Sequence, residues 1–322
     1  MTKLNLLIIG SNFGKYHLKS SLKSKKFENI SISSPNILKK KISKNVHKFK
    51  NFKFALKSTK IDMLTVVTKP NIQNNVLKFI YKEKIFPKLI FLEKPIFNSS
   101  LDIIKKFPKK SKIITNFIFA FDKKWNYLKN KINVKKSNYK FEYEWYFKQA
   151  YFKNNRQTWK TKPSEGGGLI NYYLPHAIYN ILNIFENIKI IKISKKKYYK
   201  NILIYLEVIF IHNGEKSILK INNNSNINLH KFKLINIKNN NTYEIRNNTK
   251  KWLSNFQIVK NNNKIIKFKK EKIKNDGREE VLEKVYSKIK YFFHGKFLDS
   301  NKSLTYKTFK LINKINSKIN ET

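Results

Sequence analysis

The chain has 322 residues, 41% of them hydrophobic and 14% aromatic, which is enough to fill the cores of about two domains and excludes a disordered chain. Its formal charge of +49 comes almost wholly from lysine, with arginine only at positions 156, 246 and 278. Lysines spread evenly through an Asn- and Ile-rich, Gly- and Ala-poor chain read as codon bias, not as a nucleic-acid surface, which leans on the planar fork of Arg. Cysteine is absent, which excludes disulfides, thiolate catalysis and Cys-based metal sites and agrees with a cytoplasmic location. The apolar runs Leu4–Ile9 and Ile202–Ile211 are too short for a signal core or a bilayer span, so no membrane partner is expected.

In chain order, LNLLIIG (residues 4–10) predicts a buried strand ending at Gly10, followed by a helix to about Lys26. ISISS (30–34) predicts a second strand, broken by Pro35, with a short helix near Leu38. DMLTVVT (62–68) is a third, and Pro70 opens a helix to about Lys84. KLIFLEKP (88–95), a helix near 101–107, and KIITNFIF (112–119) complete the series. Alternating strands and helices predict right-handed βαβ units and a Rossmann-like domain over residues 1–119. Beyond it, YKFEYEWYF (139–147) alternates as a half-exposed strand. Several long strand candidates fill about 188–268, separated by Asn-rich segments such as NNNSN and KNNN that read as hairpin turns. These predict a second domain, 120–322, on a large, mostly antiparallel sheet, closing with helices near 278–293 and 304–319. The predicted class is thus α/β plus α+β.

Three segments carry chemistry. IIGSNFG places Gly10, Ser11, Asn12, Phe13 and Gly14 after the first strand, at the opening of a helix. There a tight turn and free helix N–H groups suit a pyrophosphate, with Asn12 tolerating left-handed backbone. The second strand ends in Ser33 and Ser34, where an NAD-binding chain carries an acid, and Lys39–Lys41 lie nearby. That pattern favours NADP over NAD. LEKP ends a later strand at Glu93, Lys94 and Pro95, on the edge where open α/β sheets bind ligands.

Together with TVVTKP (65–70), NFIFAFDKKW (116–125), TWKTKPSEGGGLINYYLPH (158–176) and NDGREEV (275–281), these segments make the chain resemble the Gfo/Idh/MocA oxidoreductases, the glucose–fructose oxidoreductase and inositol dehydrogenase family. The resemblance spans most of the chain. It implies that Lys94 faces the nicotinamide and the reacting oxygen, supported by Glu93 and Pro95. It implies that Thr68 and Pro70 form a cofactor-contacting turn, with Gln73 where many members have His. It also implies that His176 is the acid/base group toward the substrate hydroxyl, a role that suits a side chain titrating near neutrality. Trp159 and Lys160 are candidates to shape the substrate pocket, and Arg156 is either an anion-binding residue or an ordinary surface one.

The chain departs from the family where many members carry Asp four residues before the histidine; Tyr172 stands there. On a helix starting at Gly168, Tyr172, His176 and Tyr179 would share one face. Two readings stay open. Tyr172 takes over substrate hydrogen bonding in a branch adapted to another sugar, or the protein is a catalytically weakened nucleotide-binding sensor or scaffold. Nucleic-acid binding, suggested by charge alone, is a lesser alternative. The expected activity is hydride transfer between NADP or NAD and a sugar, sugar nucleotide or cyclitol. The resemblance further implies a homodimer or homotetramer, and no metal-like spacing joins the remaining histidines to carboxylates.

Overall fold

In the computed structural model the described residues are 3–131, 138–154, 157–185, 187–249, 255–268, 277–289 and 297–321; Arg156 lies outside them. The chain divides into two compact units, Met1–Phe117 with Arg278–Tyr306, and Ile118–Gly277 with Lys307–Thr322.

The first unit alternates strand and helix: β1 (Leu4–Ile9), α1 (Gly14–Ser24), β2 (Phe27–Ser33), β3 (Val46–Phe49), α2 (Phe52–Ser58), β4 (Met63–Val66), α3 (Pro70–Lys82), β5 (Leu89–Glu93), α4 (Asn98–Lys105) and β6 (Lys112–Asn116). Its six strands are all parallel, in the order β3-β2-β1-β4-β5-β6. The order reverses between β1 and β4, the switch point at which such sheets bind ligands beyond their carboxyl ends. All four residues of β4 and the first four of β5 are buried, because a central parallel strand is covered on both faces. The helix expected near Leu38 is one 3₁₀ turn, Ile37–Lys39. Beyond it comes a β-α pair that the sequence did not announce. In VHKF only Val46 is buried, so this edge strand has no apolar run to betray it.

The second unit holds α5 (Lys123–Lys131), β7 (Tyr139–Lys148), α6 (Ala150–Asn154), α7 (Leu174–Leu182), β8 (Lys189–Tyr199), β9 (Ile202–His212), β10 (Glu215–Asn222), β11 (Asn224–Asn236), β12 (Thr242–Asn247), β13 (Gln257–Lys260) and β14 (Lys264–Ile266). Its eight-stranded sheet runs β14-β13-β12-β11-β7-β10-β9-β8, and every pair is antiparallel except β7 with β10. The strict alternation in β7 is the expected one, with Tyr139, Phe141, Tyr143 and Trp145 buried and the residues between them half-exposed. One face of the sheet is a dry core of Phe141, Val208, Phe210, Leu219, Phe232 and Ile245, each at most 1% exposed. The apolar helix α7 is buried along its whole length.

One turn expectation is corrected. NNNSN is not a hairpin: β10 and β11 flank β7 on opposite sides, so the chain crosses the end of β7 at Asn223. Gln149, just past β7, anchors that crossing. Its N–H donates to the Asn223 carbonyl at 2.8 Å, and Asn223 Nδ2 donates to its side-chain oxygen at 3.1 Å. KNNN does turn a hairpin, β11 into β12.

The chain then returns to the first unit with α8 (Arg278–Ser287), which lies along α1, and enters the long α9 (Phe297–Glu321). Asn301 of α9 accepts the buried Thr115 N–H at 3.0 Å. Among the described residues no helix is long and apolar enough to cross a membrane.

Candidate functional site

In the first unit the candidate residues gather at the carboxyl ends of the strands. Gly10 follows β1 with φ +106° and donates its N–H to the Ser33 carbonyl at 2.8 Å. A Cβ there would stand 2.2 Å from the Val67 carbonyl oxygen, so β1 and the chain after β4 approach as closely as glycine alone allows. Gly14 is different: it begins α1, and a Cβ would meet only Ile8 Cγ2, at 3.4 Å. Asn12 does not use the left-handed backbone its residue type tolerates; its side-chain oxygen accepts from Lys40 Nζ at 3.4 Å. Phe13 is the N-cap of α1 and supplies no capping bond, and the first turn carries no acid. The start of α1 thus has neither a side-chain cap nor an acid to compete with an anion for its dipole.

Beside this turn, Lys40 Nζ donates to Ser11 Oγ at 2.9 Å, and Ser11 Oγ donates to Ser34 Oγ at 2.9 Å. Among Lys39–Lys41, the structure thus singles out Lys40. Ser33 itself is 1% exposed and contributes its backbone. At the end of β4, the Thr68 hydroxyl is buried and makes no hydrogen bond among the described residues. Pro70 starts α3, and on its first turn lies Gln73, fully buried. Gln73 donates to the Glu93 carbonyl at 2.6 Å and leaves its own side-chain oxygen unsatisfied. Buried polar atoms are nearly always paired, and these two beside the strand ends are not paired among the described residues. Glu93 ends β5, and the half-buried Lys94 is joined to the buried Pro95 by a cis peptide.

In the second unit the glycine run has a defined task. Gly166 closes a 3₁₀ turn in left-handed backbone, and a Cβ on Gly167 would lie 2.2 Å from the Trp159 carbonyl oxygen. The run therefore packs against the backbone of Trp159 and Lys160 and brings both to Tyr172. The Trp159 and Tyr172 rings meet edge-on at 5.5 Å, and Lys160 Nζ lies 5.3 Å from the Tyr172 ring centre. Gly168, with φ +80° and ψ −179°, opens a π-type turn at Leu169–Tyr173 ahead of α7. That turn interrupts the single α-helical face expected for Tyr172, His176 and Tyr179. Tyr172 turns toward Trp159 and Lys160. His176, only 3% exposed, packs edge-on against Phe119 at 5.1 Å and Trp145 at 6.1 Å. Phe119 in turn touches His230 at 4.8 Å, and His230 stacks flat on Trp145 at 4.7 Å and shares a 2.7 Å hydrogen bond with the Tyr143 hydroxyl. Burial pushes His230 down to about 3, so it is neutral at physiological pH.

Sequence reasoning missed His17, Phe119 and Tyr286. His17 lies three residues after Gly14, so its place on the inner face of α1 was readable from spacing. Tyr286 carried no signal, because its partners are more than two hundred residues away in sequence.

The family described as "Oxidoreductase family, NAD-binding Rossmann fold" (Gfo/Idh/MocA) matches residues 4–116, which span the six-stranded parallel sheet. No curated protein matches the sequence. Solved structures share the fold over the whole chain. An oxidoreductase from Thermotoga maritima has a TM-score of 0.72 at 17% identity, over 97% of this chain and 95% of its own. An aldose–aldose oxidoreductase from Caulobacter crescentus complexed with glycerol has a TM-score of 0.70 at 11% identity, over 97% of each chain. A 3-ketoreductase variant from Actinomadura kijaniata in complex with TDP-benzene and NADP has a TM-score of 0.67 at 9% identity, over 98% of each. Residues 4–116 are thus similar to the NAD-binding domain of the Gfo/Idh/MocA oxidoreductases, and the whole chain shares the fold of these solved structures.

Proposed function

We propose that the protein transfers hydride between NADP and a carbinol or keto carbon of a sugar, sugar nucleotide or cyclitol. The observation that carries the reading is the row of strand ends in the first unit: the Gly10 turn, the uncapped start of α1 and the unsatisfied Thr68 hydroxyl. These residues fit a dinucleotide. Ser11–Gly14 would hold the pyrophosphate, Thr68, Pro70 and Gln73 the nicotinamide half, and Ser33, Ser34 and Lys40 the adenosine ribose. The bound nicotinamide supplies the hydride acceptor or donor. Lys94 polarises the reacting oxygen, His176 exchanges its proton, and Tyr172 hydrogen-bonds the substrate beside Trp159 and Lys160. Two neighbours of this fold, an aldose–aldose oxidoreductase and a ketoreductase with NADP, support a sugar-type substrate.

Lys40 supports NADP over NAD. It donates to Ser11 after β1, which in turn donates to Ser34 after β2, where no carboxylate waits for a 2′-hydroxyl. The second unit also supports self-association. On the outer face of its sheet, Lys231 and Lys220 pair with Glu144, Arg246 pairs with Glu244, and Tyr205 donates to Glu207 at 2.9 Å, an ordered ladder suited to a homodimer or homotetramer in the cytoplasm. Light scattering on the purified protein tests that state, and a monomer at all concentrations refutes it.

The deciding experiment is fluorescence titration with NADPH and NADH, followed by turnover on a panel of keto-sugars with Lys94→Ala and His176→Asn controls. Lys40→Ala removes one charge-assisted bond, worth about 1.5–3 kcal/mol, and weakens NADPH by roughly 10–100-fold while NADH changes little. Equal losses for both cofactors refute the NADP assignment. Tight NADPH binding with no turnover on any sugar favours the sensor reading that Tyr172 raises.

A further inference from the structure

At the end of β5 one residue collects hydrogen bonds from three elements. Glu93 Oε1 accepts from His17 Nε2 at 3.0 Å and from Asn116 Nδ2, and the Glu93 carbonyl accepts from Gln73 Nε2 at 2.6 Å. Residue 93 is thereby fixed by side chain and backbone together, and Lys94 is the next residue along. His17 is fully buried on α1, with the rings of Phe13 at 5.4 Å and Phe91 at 5.6 Å closing water out. Its other nitrogen, Nδ1, meets the Tyr286 hydroxyl at 3.0 Å, and that hydroxyl meets Thr65 Oγ1, inside β4, at 3.1 Å. Burial above all, with the negative charge of Glu93, pushes the Tyr286 phenol up, so it stays protonated and donates to Nδ1. The imidazole proton then sits on Nε2, aimed at the carboxylate.

We propose that Tyr286, His17 and Asn116 are positioning residues for Lys94. Thr65 and Tyr286 set the tautomer and ring orientation of His17, His17 and Asn116 set Glu93, and Glu93 holds the backbone from which Lys94 projects. None of the three needs to touch substrate or cofactor. The kinetic consequence rests on the oxidoreductase reading above; the placement of Lys94 does not.

Tyr286→Phe deletes one oxygen, His17→Leu deletes the relay, and His17→Gln restores an amide donor toward Glu93. The primary readout is independent of turnover. Lys94 is acylated with a water-soluble succinimidyl ester, and its rate is measured by peptide mass mapping against Lys88, which is held at 2.9 Å by Asp62. Tyr286→Phe and His17→Leu are expected to change the Lys94-to-Lys88 ratio by about threefold or more, with His17→Gln returning it toward wild type. In turnover, Tyr286→Phe lowers kcat by roughly tenfold with KM little changed, and causes no further loss in a Lys94→Ala background, because residues acting as one unit are not additive. An unchanged labelling ratio in both deletion variants overturns the proposal, as does an equal loss in the Lys94→Ala background. Should Tyr286→Phe fail to fold by far-UV circular dichroism, Thr65→Val interrupts the same hydroxyl and gives the same comparison. A wild-type protein that binds neither cofactor overturns the oxidoreductase reading and leaves the labelling ratio to decide the positioning chain.

Discussion

Replacing Gly10 with alanine strikes a close backbone approach in the first unit. The new Cβ would start 2.2 Å from the Val67 carbonyl oxygen, whereas real Cβ atoms keep beyond 3.0 Å, so that carbonyl must retreat by about 0.8 Å. Its own residue is tied down, because Val67 N–H donates to the Ile9 carbonyl at 2.8 Å. Three costs accumulate: about 1–2 kcal/mol for an L-residue at φ +106°, about 1–3 kcal/mol for overpacking, and about 1 kcal/mol for the weakened bond. The total, roughly 3–6 kcal/mol, is a large share of the 5–15 kcal/mol typical of a domain. Gly14→Ala is the control. Its Cβ meets nothing closer than 3.4 Å at the first residue of a helix, so it is expected to be neutral or to stabilise by up to about 1 kcal/mol. Urea unfolding followed by far-UV ellipticity reads both. At a slope of about 2 kcal/mol per M, the Gly10→Ala midpoint falls by about 1.5–3 M. A Gly10→Ala midpoint within about 0.3 M of wild type, or an equal fall for Gly14→Ala, would refute the reasoning.

Three further outcomes follow from buried groups. His230 is neutral in the folded protein but takes up a proton when unfolded. Stability is therefore lost as pH falls from 6.5 toward about 3, at up to about 1.4 kcal/mol per pH unit, and His230→Gln should flatten that slope; parallel curves count against it. Burial alone would raise the Asp62 carboxyl, but bonds from Lys88 and from the Asn5 N–H outweigh it and hold it below the usual range. The stability gap between wild type and Asp62→Asn should therefore be widest at neutral pH and close as pH drops below 4; a gap independent of pH contradicts this. Phe119→Ala empties the centre of a cluster that includes Trp125, Trp145, His176, His230 and Phe256. It should cost about 3–5 kcal/mol in urea unfolding, and a loss under about 1 kcal/mol would show that the cluster is not a packing unit.

What the sequence made legible was whatever local pattern determines. The buried strands β1, β4, β5 and β6 are short apolar runs, and β7 announces itself by alternation. β3 escaped because an edge strand with one buried residue has no periodicity to detect. The Asn223 crossing read as a hairpin because Asn-rich chemistry signals a turn without saying which strand comes next to which. In the site, spacing located the glycines, Lys94 and His176. It could not foresee the π-type turn that separates the surroundings of Tyr172 and His176, because one extra residue in a helical turn leaves no compositional trace. Nor could it choose Lys40 among three adjacent lysines, since their difference lies in the backbone: Lys39 ends the 3₁₀ turn and Lys40 caps it in extended conformation.

The return of the chain to its first unit has a consequence in time. A ribosome that has made residues 1–117 has exposed every strand of the parallel sheet. It must still add roughly 160 residues, on the order of 10–30 seconds of synthesis, before Tyr286 can meet His17 or Asn301 can accept the Thr115 N–H. Through that interval a buried imidazole and a buried amide of the edge strand β6 stand without their partners, and α1 lacks the helix that covers it. The nascent nucleotide-binding unit is therefore expected to remain protease-sensitive and unable to retain cofactor until α8 emerges. Arrested chains ending before and after residue 306 should differ in both properties.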